Sequence, residues 1–397
     1  MIKFVMKEIK HEFPIFQRHK TLVYLDNAAT TQKPRKVIDS ITKFYSFENS
    51  NVFRGFYPLA EKATLKYEKA RKKIAKFINA NEDEIIFVPS ATYGLNGIAT
   101  SLAASRLLSN SPKILVTDFD HHSNILPWQK LYNVHLDFLP LDKTFAVKHE
   151  TAGKEYDVVS VSHVSNVTGA IIDLQKINVK SKFTVIDATQ SAAHIKIDVK
   201  KLNVDFAVFS GHKMYAPMGI GFIYGKRELL EKMEPFSFGG GMVSKVNKEK
   251  STWTEVPGKF EAGTPNVAGG IALGEAVDFI EEIGFAKIEE HERKLRLYAL
   301  EKLGELKDLQ IFHPSSNTKA VGVISFIHNK IHAHDIADYL GQRDICVRAG
   351  HHCTQILHRD IFHVPASVRI SFGIYNTFQD IDVFIQNLKE AIKFFSD

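Results

Sequence analysis

Two hydrophobic rhythms alternate along the chain. The segment "QKPRKVIDSITKFYSF" carries a proline suited to a first helical turn, and Val37, Ile41, Phe44 and Tyr45 then recur on one helical face. "LAEKATLKYEKARKKIAKFI" reads as a longer helix. The pattern then changes to short apolar runs: "EIIFVPS", "KILVTDFD", "VHLDFLPL", "DVVSVSHVSN", "FTVIDATQ", "DFAVFSG" and "GIGFIYG". Most are rich in Val, Ile and Phe and apolar on both faces, and segments of crossover length separate several of them. Strands buried inside a mostly parallel sheet have this pattern.

From Ile271 to about Leu306 the period is helical again, with a break expected at Gly284. "VGVISFIH", "ICVRAG" and "SVRISFG" predict further strands. The closing stretch sets Ile381, Phe384, Ile385, Leu388, Ile392 and Phe395 on one stripe, a packing face. The expected fold class is α/β. A large domain is expected at 21–283, and a smaller α+β domain at 284–397, joined by residues 1–20.

Composition narrows the function. The chain has 397 residues, 44% hydrophobic and 24% charged, as in an ordinary globular enzyme with a large core. Its formal charge of +6 is mild. The densest basic cluster, "KARKKIAK", lies beside Ile74, Phe77 and Ile78 at helical spacing, so it is a solvated helix face and not a nucleic-acid footprint. No window approaches the apolar length of a membrane span. Cys346 and Cys353 are too few for a disulfide framework and point to a reducing compartment. "MIKFVMKEIKHEF" has charges every few residues and no apolar stretch suited to a signal peptide, so a cytoplasmic location is expected.

In open α/β sheets, ligands sit beyond the carboxyl ends of the strands. "EIIFVPS" runs into a helix start with Thr92, where backbone N–H groups suit a phosphate. "KILVTDFD" leads to His121, "DVVSVSHVSN" to Asn166, "FTVIDATQ" to Asp187 and Gln190, and "DFAVFSG" to Ser210, His212 and Lys213. Singly, each has a bland explanation as a turn or capping residue. Together they place a carboxylate and a lysine on neighbouring strand ends beside a phosphate turn. Pyridoxal phosphate needs this set: a lysine for its aldehyde, a carboxylate for its ring nitrogen, a helix N-terminus for its phosphate and a flat partner for its ring. Lys213 is therefore the expected Schiff-base lysine, in a setting of glycines that lets backbone and cofactor approach closely.

The motifs "YLDNAATTQKP", "HHSNILPWQ", "SNVTGA", "VIDATQSAAH", "FSGHKMYAPMGIG", "FEAGTPN", "RAGHHC" and "VRISFGIYNT" resemble the class-V aminotransferase family of fold-type I pyridoxal-phosphate enzymes. Within it they are similar to the cysteine desulfurases of the Suf-type (group II) branch, over most of the chain from about Tyr24 to Asn376. The resemblance implies that Lys213 bonds the cofactor and shuttles a proton, Asp187 pairs with the ring nitrogen, Gln190 bonds the ring hydroxyl and His121 stacks on the ring. It implies that Thr92, Ser210 and His212 hold the phosphate, and that Thr264 reaches the phosphate of a partner subunit in a homodimer. Asn166 and Arg369, with Arg348 nearby, would bind the substrate carboxylate, for which the guanidinium fork is suited.

Cys353, in "RAGHHCTQIL", decides the reaction. A thiolate is the nucleophile, and Arg348, His351 and His352 are read as the cations that stabilise it. Cys346 is read as a buried structural residue. Three ligand types crowded into "HHC" chelate one zinc poorly, so no metal is expected. The function that follows is conversion of L-cysteine to L-alanine, with sulfur held as a persulfide on Cys353. The sulfur then passes to a small acceptor protein for iron–sulfur cluster assembly, and L-selenocysteine is a second possible substrate. Transamination or kynureninase-like β-cleavage on the same fold needs no nucleophilic cysteine. A non-catalytic sulfur carrier or scaffold has no use for Lys213, Asp187, His121 and Arg369 together. The sequence departs from the branch where Phe53 and Tyr57 replace customary histidines, and where Ala91 replaces a hydroxyl in the phosphate turn.

Overall fold

The computed structural model describes residues 8–141, 153–314 and 318–396. Part of the N-terminal segment expected to join the smaller domain, residues 1–7, lies outside the described residues. All seven short apolar runs form strands of one sheet: β1 (Ile85–Val88), β2 (Lys113–Thr117), β3 (His135–Leu139), β4 (Glu155–Ser162), β5 (Lys180–Asp187), β6 (Phe206–Ser210) and β7 (Gly221–Gly225). Their spatial order is β1-β7-β6-β5-β4-β2-β3. The pairs from β6 to β3 are parallel, and only β7 runs against its neighbours. β1, β6 and β7 are buried along their whole length, whereas β3, at one edge of the sheet, alternates exposed and half-buried residues before the buried Leu139.

Helices cover the sheet. α1 (Arg35–Lys43) has Pro34 at its N-cap and passes into a π-type turn at Phe44, which leaves Tyr45 60% exposed instead of on the packing face. α2 (Pro58–Phe77) packs against α5 (Val267–Ile283), while α3 (Ala91–Ala104) lies near α4 (His122–Gln129). The expected break at Gly284 separates α5 from α6 (Phe285–Gly304). A second, antiparallel sheet follows, in the order β8 (Leu309–Phe312), β9 (Val323–His328), β11 (Ser367–Ser371) and β10 (Arg348–Gly350). The periodicity does not reveal β8, whose residues are only partly buried apart from Phe312.

The run "ICVRAG" splits in two. Ile345–Cys346 pairs with Val23–Tyr24, and Arg348–Gly350 turns to β11. Cys346 is consequently half-buried and not a core residue. α7 (Phe378–Ser396) buries Ile381, Phe384, Ile385 and Leu388 as the stripe predicts, but Phe395 near its end is 40% exposed. No helix among the described residues is long and apolar enough to cross a membrane.

Gly221 shows how tightly the sheet is built where it matters. It pairs with Ser210, the last residue of β6, and a Cβ placed on it would lie 2.3 Å from the carbonyl oxygen of Phe209. The obstacle is backbone, which cannot swing aside. Gly221→Ala is expected to destabilise the protein by about 1–3 kcal/mol through overpacking, read as a fall in the thermal unfolding midpoint.

Candidate active site

The carboxyl ends of the parallel strands converge. Ser162 ends β4, Asp187 ends β5, and Ser210 ends β6 just before a single 3₁₀ turn that holds Gly211, His212 and Lys213. The turn after β2 delivers His121 as the N-cap of α4, and Ser90 caps α3. Every candidate site residue except Thr264 lines one cavity here, of about 240 Å³. From the second sheet come Arg348 on β10, Arg369 on β11 and Cys353 in the loop between them.

That loop is held from several sides. His352 and Cys353 are both left-handed, at φ 51° and 58°, an unfavourable conformation for two non-glycine residues in succession. The His351 Nδ1 accepts from the Cys353 N–H (3.2 Å), the Cys353 carbonyl accepts from the His122 N–H (2.8 Å), and the His352 carbonyl accepts from Asn166 Nδ2 (2.8 Å).

Charge dominates the cavity. Arg369 is 1% exposed, and its Nη2 donates to Asp26 Oδ1 (3.0 Å) while its Nη1 donates to the Asn166 carbonyl (3.0 Å). Lys213 is pushed down to about 8 by burial, with Arg369 and Arg348 adding to the effect and Asp187 opposing it. Burial and then Lys213 push His121 down to about 3 and His212 to about 4. His352 falls well below the ordinary histidine range through burial and the nearby Arg369. At neutral pH it is an uncharged imidazole, which corrects the expectation that it serves Cys353 as a cation.

The phosphate turn is preformed. Ser210 Oγ accepts from the Ala91 N–H (2.9 Å), and the Thr92 and Ser123 hydroxyls are 2.7 Å apart. Gln190 Nε2 donates to the Ala28 carbonyl (2.8 Å). Three participants escape a motif-by-motif reading: Asp26, Ser123 and Lys33. Lys33 Nζ reaches the His212 carbonyl (2.8 Å), which also accepts from the Thr31 N–H and from the Thr30 and Thr31 hydroxyls. Asp26 and Lys33 flank the "NAATTQ" stretch, whose partners lie far along the chain, and Ser123 sits in "HHSNILPWQ".

Thr264 is elsewhere. It lines a second cavity of about 570 Å³ with Arg54, Glu261 and the half-exposed Phe53. Among the described residues no three His, Cys, Asp or Glu side chains gather as a metal site.

Pyridoxal phosphate suits the first cavity. Thr189 Oγ1, His212 Nδ1 and Arg369 Nε are buried there without partners. The Asp187 carboxylate is raised by burial and accepts from the Thr189 N–H (2.9 Å), so a cationic ring N–H would relieve its desolvation. The start of α3, with Lys213 and two arginines, matches a ligand that carries a phosphate or a carboxylate.

Comparison with known proteins points to one family. The class-V aminotransferase family model matches residues 23–384. The chain is 43% identical to a "Probable cysteine desulfurase" of Halalkalibacterium halodurans, over 98% of each chain. It is 41% identical to one of Staphylococcus epidermidis, over 99% of this chain and 98% of the relative. An apo cysteine desulfurase structure from Thermococcus onnurineus superposes with a TM-score of 0.92 at 34% identity, covering 99% of this chain and 100% of that one. The cysteine desulfurase CsdA of Escherichia coli superposes at 0.87 and 32% identity, covering 98% and 99%.

Only the free amine of Lys213 adds to an aldehyde, and its fraction grows as pH rises toward about 8. Uptake of pyridoxal phosphate by the cofactor-free protein is expected to speed up by about tenfold per pH unit below that value and then level off, followed by absorbance. Borohydride should fix the cofactor to the Lys213 peptide, and Lys213→Ala should abolish that label.

Proposed function

The chain belongs to the class-V aminotransferase family, and on that premise we propose that it is a pyridoxal-phosphate-dependent cysteine desulfurase. The observation that carries the reading is the presence of a cysteine, Cys353, in the same cavity as Lys213 and Asp187. Neither transamination nor kynureninase-like cleavage has a use for a thiol there.

The parts divide as follows. Arg369 and Arg348, with Asn166, orient the carboxylate of L-cysteine; a buried guanidinium with a free Nε suits this task. The bound cofactor supplies the aldehyde that captures the substrate amine and the ring that delocalises the electron pair left at Cα. Lys213 Nζ, drawn down to about 8, takes and returns the Cα proton near neutral pH. With the cofactor bound, Asp187 would pair with its ring nitrogen, Gln190 would bond its ring hydroxyl and His121 would stack on its ring. Ser210, His212 and Thr92 hold the phosphate. The Cys353 thiolate attacks the substrate sulfur. A sulfur–sulfur bond forms, the carbon–sulfur bond breaks with its electron pair going to the three-carbon unit, and that unit takes up protons and leaves as alanine. A thiol of an acceptor protein then takes the outer sulfur from Cys353, a route that serves iron–sulfur cluster assembly in the cytoplasm. L-selenocysteine asks less of the same nucleophile, since its carbon–selenium bond is weaker.

A homodimer accounts for Thr264. That residue and Arg54 line a cavity apart from Lys213, and exposed aromatics, among them Phe53, Phe56 and Tyr57, stand near it in the chain. A second copy seated there would present Thr264 to its phosphate.

Incubation with L-cysteine should give alanine and, with a reductant, an equal amount of sulfide. Without a reductant, mass spectrometry should find one added sulfur on the Cys353 peptide. Cys353→Ser should keep the cofactor's absorbance and lose turnover by orders of magnitude; if it turns over like the parent, the reading fails.

A further inference from the structure

The loop that carries Cys353 is strained, since His352 and Cys353 are left-handed in succession. Such a backbone persists only where its surroundings over-determine it. Within the loop, His351 Nδ1 accepts from the Cys353 N–H (3.2 Å), and from outside Asn166 Nδ2 donates to the His352 carbonyl (2.8 Å). His122 holds the loop twice. Its N–H donates to the Cys353 carbonyl (2.8 Å), and its Nε2 accepts from the Gln355 N–H (3.2 Å).

Both contacts answer a need of the backbone. The first N–H groups of a helix have no partner inside it. His122 is the first residue of α4, and Gln355 begins the helical turns that run to Phe362. Each segment satisfies the other's donor: the Cys353 carbonyl caps α4, and the His122 ring caps the turns after Cys353. The ring must be neutral for this, with Nε2 bare. Burial and then the neighbouring His351 hold it below the ordinary histidine range, so it keeps that lone pair at neutral pH. The His122 and His351 rings stand 5.6 Å apart, centre to centre. His122 is not among the described lining residues of the first cavity, whereas its neighbour His121 is, together with Cys353.

We propose that His122 is a positioning residue for Cys353, its ring fixing the cysteine loop to the start of α4 and so keeping Cys353 in register with His121. Adjacent histidines then divide the work. His121 serves the cofactor, and His122 serves the step in which sulfur leaves carbon. Loss of the ring acceptor frees the Gln355 N–H and lets the strained loop relax, while the turn that holds Lys213 is left as it was. The inference rests on the reading of Cys353 as the sulfur nucleophile.

The test compares His122→Phe, His122→Asn and His122→Gln in the holoprotein. Phenylalanine keeps a flat ring and removes the acceptor. The asparagine amide is too short to reach the Gln355 N–H, and the longer glutamine amide brings its oxygen close to the position of Nε2. Amide hydrogen exchange in the peptide spanning residues 351–358 should be faster in the Phe and Asn variants and parent-like in the Gln variant. Persulfide formation on Cys353 in a single turnover with L-cysteine should slow by about tenfold or more in the Phe and Asn variants, and glutamine should restore it. Exchange of the Cα hydrogen of L-alanine with D2O uses the cofactor and Lys213 but no thiol. It should keep the parent rate in all three variants, as should the cofactor absorbance. A parent-like persulfide rate in the Phe and Asn variants overturns the inference. An equal loss of alanine exchange does so too, because the defect would then be general, as does failure of glutamine to rescue. A parent that forms no persulfide sinks the desulfurase reading alone, and unchanged amide exchange in the Phe and Asn variants sinks the tether alone.

Discussion

Lys213, Arg348 and Arg369 share a small cavity in which Asp187 is the only carboxylate among the described lining residues. Like charges in a partly dry site repel strongly, and each pays for leaving water. The protein answers in three ways. Asp26, which does not line the cavity, pairs with Arg369 (3.0 Å). The neighbouring imidazoles of His121, His212 and His352 stay uncharged. The remaining positive charge is left for a ligand bearing phosphate and carboxylate groups. Burial, reinforced by the neighbouring cations, keeps these histidines neutral, and the same combination lowers Lys213 toward the range where its amine can work.

Two sheets meet at this cavity, and residues 26–33 keep them in register. Asp26 bridges to Ser371 on β11 and pairs with Arg369, while Asn27 Nδ2 donates to the Ser371 carbonyl (2.7 Å). A few residues later Thr30, Thr31 and Lys33 converge on the carbonyl of His212, next to Lys213. One short stretch therefore grips both the Arg369 side and the Lys213 side of the cavity. Hydrogen bonds that converge on a single acceptor in a poorly solvated place reinforce its position, which suits an amine that must stay in line with a reacting carbon.

Two of the three departures from the family pattern, Phe53 and Tyr57, fall outside the first cavity, and Ala91 lines it. Phe53 lines the second cavity with Thr264, and Tyr57 is half-exposed and accepts from Ser50 Oγ (3.0 Å). Neither touches Lys213 or Cys353. Ala91 lies in the phosphate turn, but its N–H is already taken by Ser210 Oγ, so the hydroxyl of β6 supports the turn that a side chain at 91 would otherwise serve.

The local rhythm of the chain settled which segments are strands and which strand ends carry chemistry. β6 and β7 are apolar on both faces because both faces are covered, and Asp187 and Lys213 follow neighbouring parallel strands because one crossover joins them. Tertiary structure decided the rest. Phe395 keeps a helical phase yet faces solvent, and Tyr45 loses its phase where the helix passes into a π-type turn, neither of which periodicity foresees. His352 looked like a cation beside Cys353, but burial and then Arg369 on another strand keep it uncharged, and its Nε2 meets Ser367 Oγ. Burial leaves a mark on the pattern of a single segment. The identity of what a side chain is buried against depends on other segments, some as far apart as Asp26 and Arg369, and protonation follows from that.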